Sequence, residues 1–262
     1  MVLTGEGSDE ILGGYPKHVY ERFAHIYQVL PKVLRSGLIE PLSATLPYRF
    51  RRIKTALASI GIDKVTERLP RWFGALSPAD LAQLLNWKMS QAIHSIEAPF
   101  EVGAGNNSPL RRILYFDQTS WLPDNLLERG DRMTMAASIE ARMPFMDHRL
   151  AAFISSLPDN YRVRGMTTKW ILRQAMKKML PPSILERPKV GFRVPVNEWF
   201  RGSMREYLYE QLLGEQSITR DYYRRNVLES YLSEHSAQRQ NHEKLLWTLL
   251  NLELWHREYQ PV

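Results

Sequence analysis

Apolar positions recur at helical spacing along most of the chain. Val19, Phe23, Ile26, Tyr27 and Leu30 line one face, and Pro31 follows as a breaker. A basic amphipathic segment runs from Phe50 to about Ile60 and stops at Gly61. Ser77-Pro78-Ala79-Asp80 opens a helix continued by Leu81, Leu84 and Leu85, with serine as cap and proline at the first helical position. Ser108-Pro109 repeats that start ahead of Leu110, Ile113, Leu114 and Trp121. Further helices are expected from Pro123-Asp124 to about Ala137, behind Asp147 as cap, and from Lys169 to Leu180 with Thr168 as cap. Three more cover Val196 to Leu213, Asp221 to His235 and His242 to Glu258. The last is apolar nearly all round, as befits a helix buried in a core or against a partner. Residues 38–48 and 99–108 read as irregular.

Against this helical background, Val2-Leu3 is the one convincing strand signal, and a lone strand makes no sheet. It leads into Thr4-Gly5-Glu6-Gly7-Ser8-Asp9-Glu10 and then Ile11-Leu12-Gly13-Gly14-Tyr15, read as strand end, tight loop and first helical turn with Ser8 capping it. Glu6, Asp9 and Glu10 crowd three carboxylates together, which calls for a cation or a cationic ligand. The plainer reading is a hydrated turn, because acidic residues are favourable at a helix N-terminus. A dinucleotide loop is excluded. Gly5-x-Gly7 begins the pattern, but Glu10 stands at the third glycine position and Glu6 would repel a pyrophosphate. Phosphate here makes more sense through Mg²⁺, held by one or two carboxylates.

Two further constellations carry candidate chemistry. Leu122 to Ala136 and Glu140 to Asp147 are dense in charge between apolar anchors, and Arg129, Asp131, Arg132, Glu140 and Arg142 suit an ion-pair network locking two helices. Arg187-Pro188-Lys189-Val190-Gly191-Phe192-Arg193-Val194-Pro195 is a stiff loop presenting Lys189, a residue type usually left solvated at the surface.

Composition narrows the classes. The 262 residues, 44% hydrophobic and 24% charged, are enough for a sizeable core. No run of 18 apolar residues and no signal-peptide pattern occurs, so a cytoplasmic protein away from membranes is expected. A net charge of +7 and a pI near 9.6 raise the question of nucleic acid. The basic residues are spread out and fit no nucleic-acid-binding motif, so none is expected; attraction of anionic substrates is the better use. The absence of cysteine excludes disulfides, thiolate metal sites and a cysteine nucleophile. The histidines have no ligand spacing, so zinc is not expected.

The three constellations together resemble the asparagine synthetase family's ATP-dependent synthetase domain. Thr4 to Glu10 with Gly14-Tyr15 is similar to S-G-E-G-x-D-E…G-Y, with Thr4 keeping the hydroxyl. Asp124 to Asp147 is similar to D-N-L-L-x-R-x-D-R-M-S-M-A…E-x-R-x-P-F-x-D. Arg187 to Pro195 is similar to R-P-K-x-G-F-x-x-P.

The resemblance implies a mostly α chain: the C-terminal portion of an α/β ATP-pyrophosphatase (adenine nucleotide alpha hydrolase-like) domain with its parallel sheet largely missing. It would be one partial domain over 1–262, with 1–15 as the strand–loop–helix of the nucleotide site and 16–262 as the helical portion. It implies ATP and Mg²⁺, a carboxylate substrate (aspartate) turned into an acyl-adenylate, and ammonia displacing AMP. Thr4 and Gly5 would contact the nucleotide, Glu6 would assist adenylation, Asp9 would hold Mg²⁺ and Glu10 would support that shell. Lys189 would stabilise the charged transition state, and Arg129 and Asp131 would line the acidic-substrate side.

The family's S-G-G-x-D-S pyrophosphate loop and its cysteine-initiated glutaminase are not in these residues. A fragment or split-gene half, inactive alone and receiving ammonia from a glutaminase elsewhere, is therefore expected. Amidation of another carboxylate such as a sugar acid, lactam or peptide ring closure, and a non-catalytic helical interaction module that could form homo-oligomers, stay open as alternatives.

Overall fold

The computed structural model describes residues 1–45, 50–72, 74, 76, 78–86, 108–187 and 194–259. The chain forms two compact units, one of Met1–Trp72 with Ser95–Val190, the other of Phe73–His94 with Gly191–Val262. It is predominantly helical, and among the described residues the only sheet is a two-stranded parallel one.

In the first unit, β1 (Val2–Leu3) pairs in parallel with β2 (Ala141–Arg142), Val2 opposite Ala141 and Leu3 opposite Arg142. The strand signal at Val2-Leu3 thus finds its partner about 140 residues away, inside the second constellation. Val2 N donates to Glu140 O at 2.8 Å and Thr4 N to Arg142 O at 2.9 Å. The turn beyond β1 enters α1 (Ser8–Leu12) through Gly7 and leaves it through Gly13, both left-handed at φ +84° and +74°. Gly7 caps α1 and Ser8 does not: Ser8 is already helical, and its hydroxyl donates back to Gly5 O at 2.7 Å. Ile11 and Leu12 bury against Ile154, Phe145, Met146, Leu150, Ile171 and Leu172. This fixes α1 to the segment that follows β2.

Helix α2 (Pro16–Arg22) packs on α3 (Pro109–Phe116), whose N-cap is Ser108, its hydroxyl accepting from Arg111 N at 3.2 Å. Phe23 breaks the expected long helix, with a second piece at Ala24–Val29. The break rotates the apolar face, so Val19 and Tyr27 are buried while Phe23 and Ile26 are exposed. Residues 38–44 are helical where an irregular stretch was expected: the chain enters Glu40–Ala44 from wide i→i+5 turns over Arg35–Ile39, a local loosening of the helix that accommodates the N–H missing at Pro41.

No new helix opens at Pro123. The chain runs from α3 through wide i→i+5 turns over Asp117–Leu127 into α4 (Glu128–Ala136) without interruption. Thr119 and Ser120 hydroxyls donate to Tyr115 O and Phe116 O, giving these carbonyls partners where the turns widen ahead of the proline. Asp147 caps α5 (His148–Ser156) as its sequence suggests, accepting from Arg149 N and Leu150 N at 3.0 Å each.

The helix assigned to Lys169–Leu180 starts one residue later. Lys169 is left-handed at φ +50°, and α6 spans Trp170–Ala175 before tightening at Met176–Lys178.

The second unit buries Val196 and Phe200 of α7 (Val196–Arg201), Leu208 and Leu212 of α8 (Arg205–Leu213) and Leu228 and Leu232 of α9 (Arg225–Ser236). They pack on Leu245, Leu246, Leu249 and Leu250 of α10 (Glu243–Tyr259). Gly202 separates α7 from α8, where one continuous helix was expected. Only one side of α10 is buried; Trp247, Leu254 and Trp255 are exposed. Its Glu253 is fully buried and accepts from Thr219 N, Thr219 Oγ1, Ile218 N, Ser217 Oγ and Arg257 Nε, all between 2.7 and 3.1 Å. Burial pushes that carboxyl up, but these donors more than offset it and hold it below the ordinary value. The start expected at Ser77 lies outside the described residues, and its helix is present at Pro78–Leu84.

His235 is buried beside Phe200, with Arg201 and His242 as neighbouring basic groups. His242 N donates to its Nδ1 at 3.1 Å. Burial, reinforced by those two neighbours, lowers its pKa to about 4. Below pH 6.5 the unfolded chain takes up a proton that the folded chain refuses, so this contribution to stability is whole above pH 6.5 and is lost as pH falls toward 4. Denaturant titrations should show roughly 1–3 kcal/mol of wild-type stability lost across that window through this residue. In His235→Gln the loss should be flatter; an unchanged slope would count against the assignment.

Candidate functional site

The acidic turn is held by three neighbours that are remote in sequence. A methyl group on Gly7 would lie 2.5 Å from Met146 Cε, so Met146 packs directly on the turn. A methyl group on Gly130 would lie 3.0 Å from Glu6 Oε2, so the carboxylate sits over the backbone of Arg129-Gly130-Asp131. The structure therefore brings the first and second constellations together.

The third neighbour is Lys169. Its Nζ lies 2.7 Å from Asp9 Oδ1 and donates to Ser8 Oγ at 2.9 Å. Gly14 leaves room for this pair: a Cβ there would run into the Asp9 carboxylate and Lys169 Cε. Gly14 N in turn donates to Asp9 O at 2.8 Å.

The three carboxylates have different surroundings. Among the described residues, Glu6 Oε2 and Thr4 Oγ1 are buried atoms with no hydrogen-bond partner. Asp9 is ion-paired. Glu10 is turned inward, 1% exposed, and accepts from Tyr15 OH at 2.5 Å. Burial raises the Glu10 pKa, aided by the nearby Asp9 and Asp117 charges and opposed by the Tyr15 bond. Burial and Glu10 together raise that of Tyr15.

Beneath Glu10 lies a polar network that sequence reasoning missed. Asp117, fully buried, meets Lys17 Nζ and His18 Nε2 at 2.7 Å each. Tyr15 N donates to His18 Nδ1 at 3.2 Å, which leaves the ring proton on Nε2, donated to Asp117. Burial lowers the Lys17 pKa against the opposing pull of Asp117. These partners lie about 100 residues apart and carry no common motif.

An Mg²⁺ ion needs near-octahedral oxygens at about 2.0–2.1 Å. In this structure Asp9 and Glu10 point to different neighbours. Consecutive helical residues project about 100° apart; Asp9 faces Lys169 and Glu10 faces Tyr15. Among the described residues no group of three His, Asp or Glu side chains is placed to hold a metal.

Arg129 and Asp131 are both exposed and make no ion pair with a described residue. The expected network reduces to Arg132–Glu128 at 2.5 Å and Arg142–Glu140. Lys189 lies outside the described residues. Behind Gly14 opens a cleft of about 830 Å³, lined by Tyr20, Thr168, Arg173, Lys177 and Arg187 among others. Arg173 is tied by its Nε to Thr168 O at 2.9 Å and by Nη1 to Leu185 O, so it forms part of the wall.

Glu10 gives a direct check. Its raised pKa means that the folded state holds a proton the unfolded state has released, so its cost to stability grows as pH rises through and beyond the ordinary carboxyl range. Thermal melts should therefore show Glu10→Gln gaining on wild type between pH 5 and pH 8. A deficit that is the same at both pH values would contradict this account.

Comparison with known proteins agrees with the geometry. The family model described as asparagine synthase matches residues 1–257. A putative glutamine-hydrolysing asparagine synthetase of Mycobacterium tuberculosis (strain H37Rv) is 32% identical over 260 residues, covering 98% of this chain and 39% of the relative. Glutamine-hydrolysing asparagine synthetase 1 of Bacillus subtilis is 26% identical over 267 residues, covering 100% and 42%. Amidase chyE of Penicillium rubens is 24% identical over 251 residues, covering 83% and 35%. The chain spans about two-fifths of the length of these curated asparagine synthetases. No solved structure matches it. With its acidic turn, its paired second block and a match over nearly its whole length, the chain belongs to the asparagine synthase family.

Proposed function

We propose that this chain forms part of an ATP-dependent carbon–nitrogen ligase. In this reading the side-chain carboxylate of aspartate attacks the α-phosphorus of ATP, pyrophosphate leaves, and ammonia displaces AMP from the acyl-adenylate to give the amide. The observation that carries the reading is the seating of Glu6 over Gly130, with Glu6 Oε2 and Thr4 Oγ1 buried and without partners among the described residues.

Each residue then has a job set by its chemistry. Thr4 Oγ1 and the Gly5 backbone, where no side chain obstructs, contact the nucleotide. Glu6 is acceptor-only when ionised and serves as the base for ammonia's surplus proton or as the anchor of the donor groups around the acyl centre. Arg129 and Asp131 flank Gly130 on the acidic-substrate side. Lys189, on sequence resemblance alone, adds positive charge where the adenylate forms. Ammonia comes from a glutaminase outside these residues, since the chain has no cysteine for that chemistry. Magnesium accompanies the nucleotide's phosphates as their counterion, and no step is assigned to it at Asp9 or Glu10.

The test is aspartate-dependent pyrophosphate release from ATP with ammonium as nitrogen source. It is run on the 262-residue chain alone and on a chimera in which the chain replaces the 260 residues it matches in the Mycobacterium relative. The chain alone should be silent and the chimera active. Glu6→Gln and Lys189→Met should each lower the chimera's kcat by about 100-fold or more while leaving its melting temperature in place. A folded chimera with no aspartate-dependent release, or variants with full activity, would overturn the proposal.

A further inference from the structure

Lys169 belongs to none of the three sequence blocks and has no role in the reaction outlined above, yet its position is costly to hold. It is a non-glycine residue in left-handed backbone at φ +50°, a conformation that persists only when its surroundings demand it. Its side chain and that of Asp9 are 20% and 14% exposed, so the pair is largely withdrawn from water. The ammonium donates to Ser8 Oγ on the same turn of α1. On the other side, Gly14 supplies the only kind of residue that leaves space for the pair.

We propose that Lys169 is the resident cation of the acidic turn: its ammonium neutralises Asp9 and closes that carboxylate to divalent metal. An ion at about 2.0–2.1 Å from Asp9 Oδ1 would share one oxygen with an ammonium 2.7 Å away, and the two positive charges would repel at close quarters in a poorly screened place. Among the described residues Glu10 cannot serve as a second ligand, because it is buried against Tyr15. The turn's need for positive charge is thus met from within the chain, across 160 residues. Lys169 acts as a positioning residue, setting where Asp9 points and what it can bind. The inference stands apart from the proposed reaction, since it concerns metal binding by the free chain.

Mn²⁺ serves as the probe, followed by electron paramagnetic resonance of the free ion in the 262-residue protein at pH 7 without nucleotide. Lys169→Met should bind one Mn²⁺ at least about tenfold more tightly than wild type, and the double variant with Asp9→Asn should lose the gain. Lys169→Arg should behave as wild type. Equal or weaker Mn²⁺ binding by Lys169→Met would overturn the proposal. If Lys169→Met does not fold, Asp9→Asn decides alone: unchanged Mn²⁺ binding is expected, and a tenfold loss would show that Asp9 already serves metal in the wild type.

Discussion

The ion pair between Asp9 and Lys169 is the contact on which the acidic turn depends. Three carboxylates within five residues repel one another, and the fold relieves the repulsion by giving each a different environment. Asp9 receives an ammonium, Glu10 receives the Tyr15 hydroxyl and a raised pKa, and Glu6 is left facing the Gly130 backbone with an oxygen that has no partner among the described residues. Removing the first of these partners would return a charge to a partly desolvated place, where an unpaired carboxylate is costly. Glycines at 7, 13 and 14 are what let the arrangement close. Two take left-handed backbone, and the third stands where any side chain would collide with the ion pair.

Around that turn the long-range architecture is economical. The short parallel pairing of β1 with β2 and the packing of Met146 on Gly7 bring residues 2–7 to residues 130–146. A two-residue parallel ladder contributes little by itself. The apolar contacts of Ile11 and Leu12 with Ile154, Leu150 and Ile171 do more, because each fully buried side chain of this size contributes about 1.5–3 kcal/mol. The chemistry on the turn is thereby mounted on a rigid apolar floor. The hydrogen-bonded set of Asp117, Lys17 and His18 fills the polar space between α2 and the helical run that follows α3.

Much of this was legible in the sequence, and the exceptions have physical causes. The helical class, the strand at Val2-Leu3, the caps at Ser108 and Asp147 and the family all follow from local patterns or from motifs. The partner of the strand did not, because Ala141-Arg142 is too short to show a period and parallel pairing leaves no turn signal between its strands. Lys169 was hidden as the first residue of an apparent helix behind Thr168, since left-handed lysine has no sequence signature. That Asp9 and Glu10 face different neighbours follows from the helix itself, because adjacent helical residues diverge by about 100°. Asp117 and His18 look unremarkable one at a time; only the packing of α2 on α3 makes them neighbours.

The central claim is that Asp9 and Lys169 act as one unit that fixes the turn. A double-mutant cycle on unfolding free energy measures this most directly, using Asp9→Asn, Lys169→Met and the double variant at pH 7. The account predicts a favourable coupling of about 1–3 kcal/mol, with the double variant less damaged than the sum of the singles. Additivity to within about 0.5 kcal/mol would contradict it.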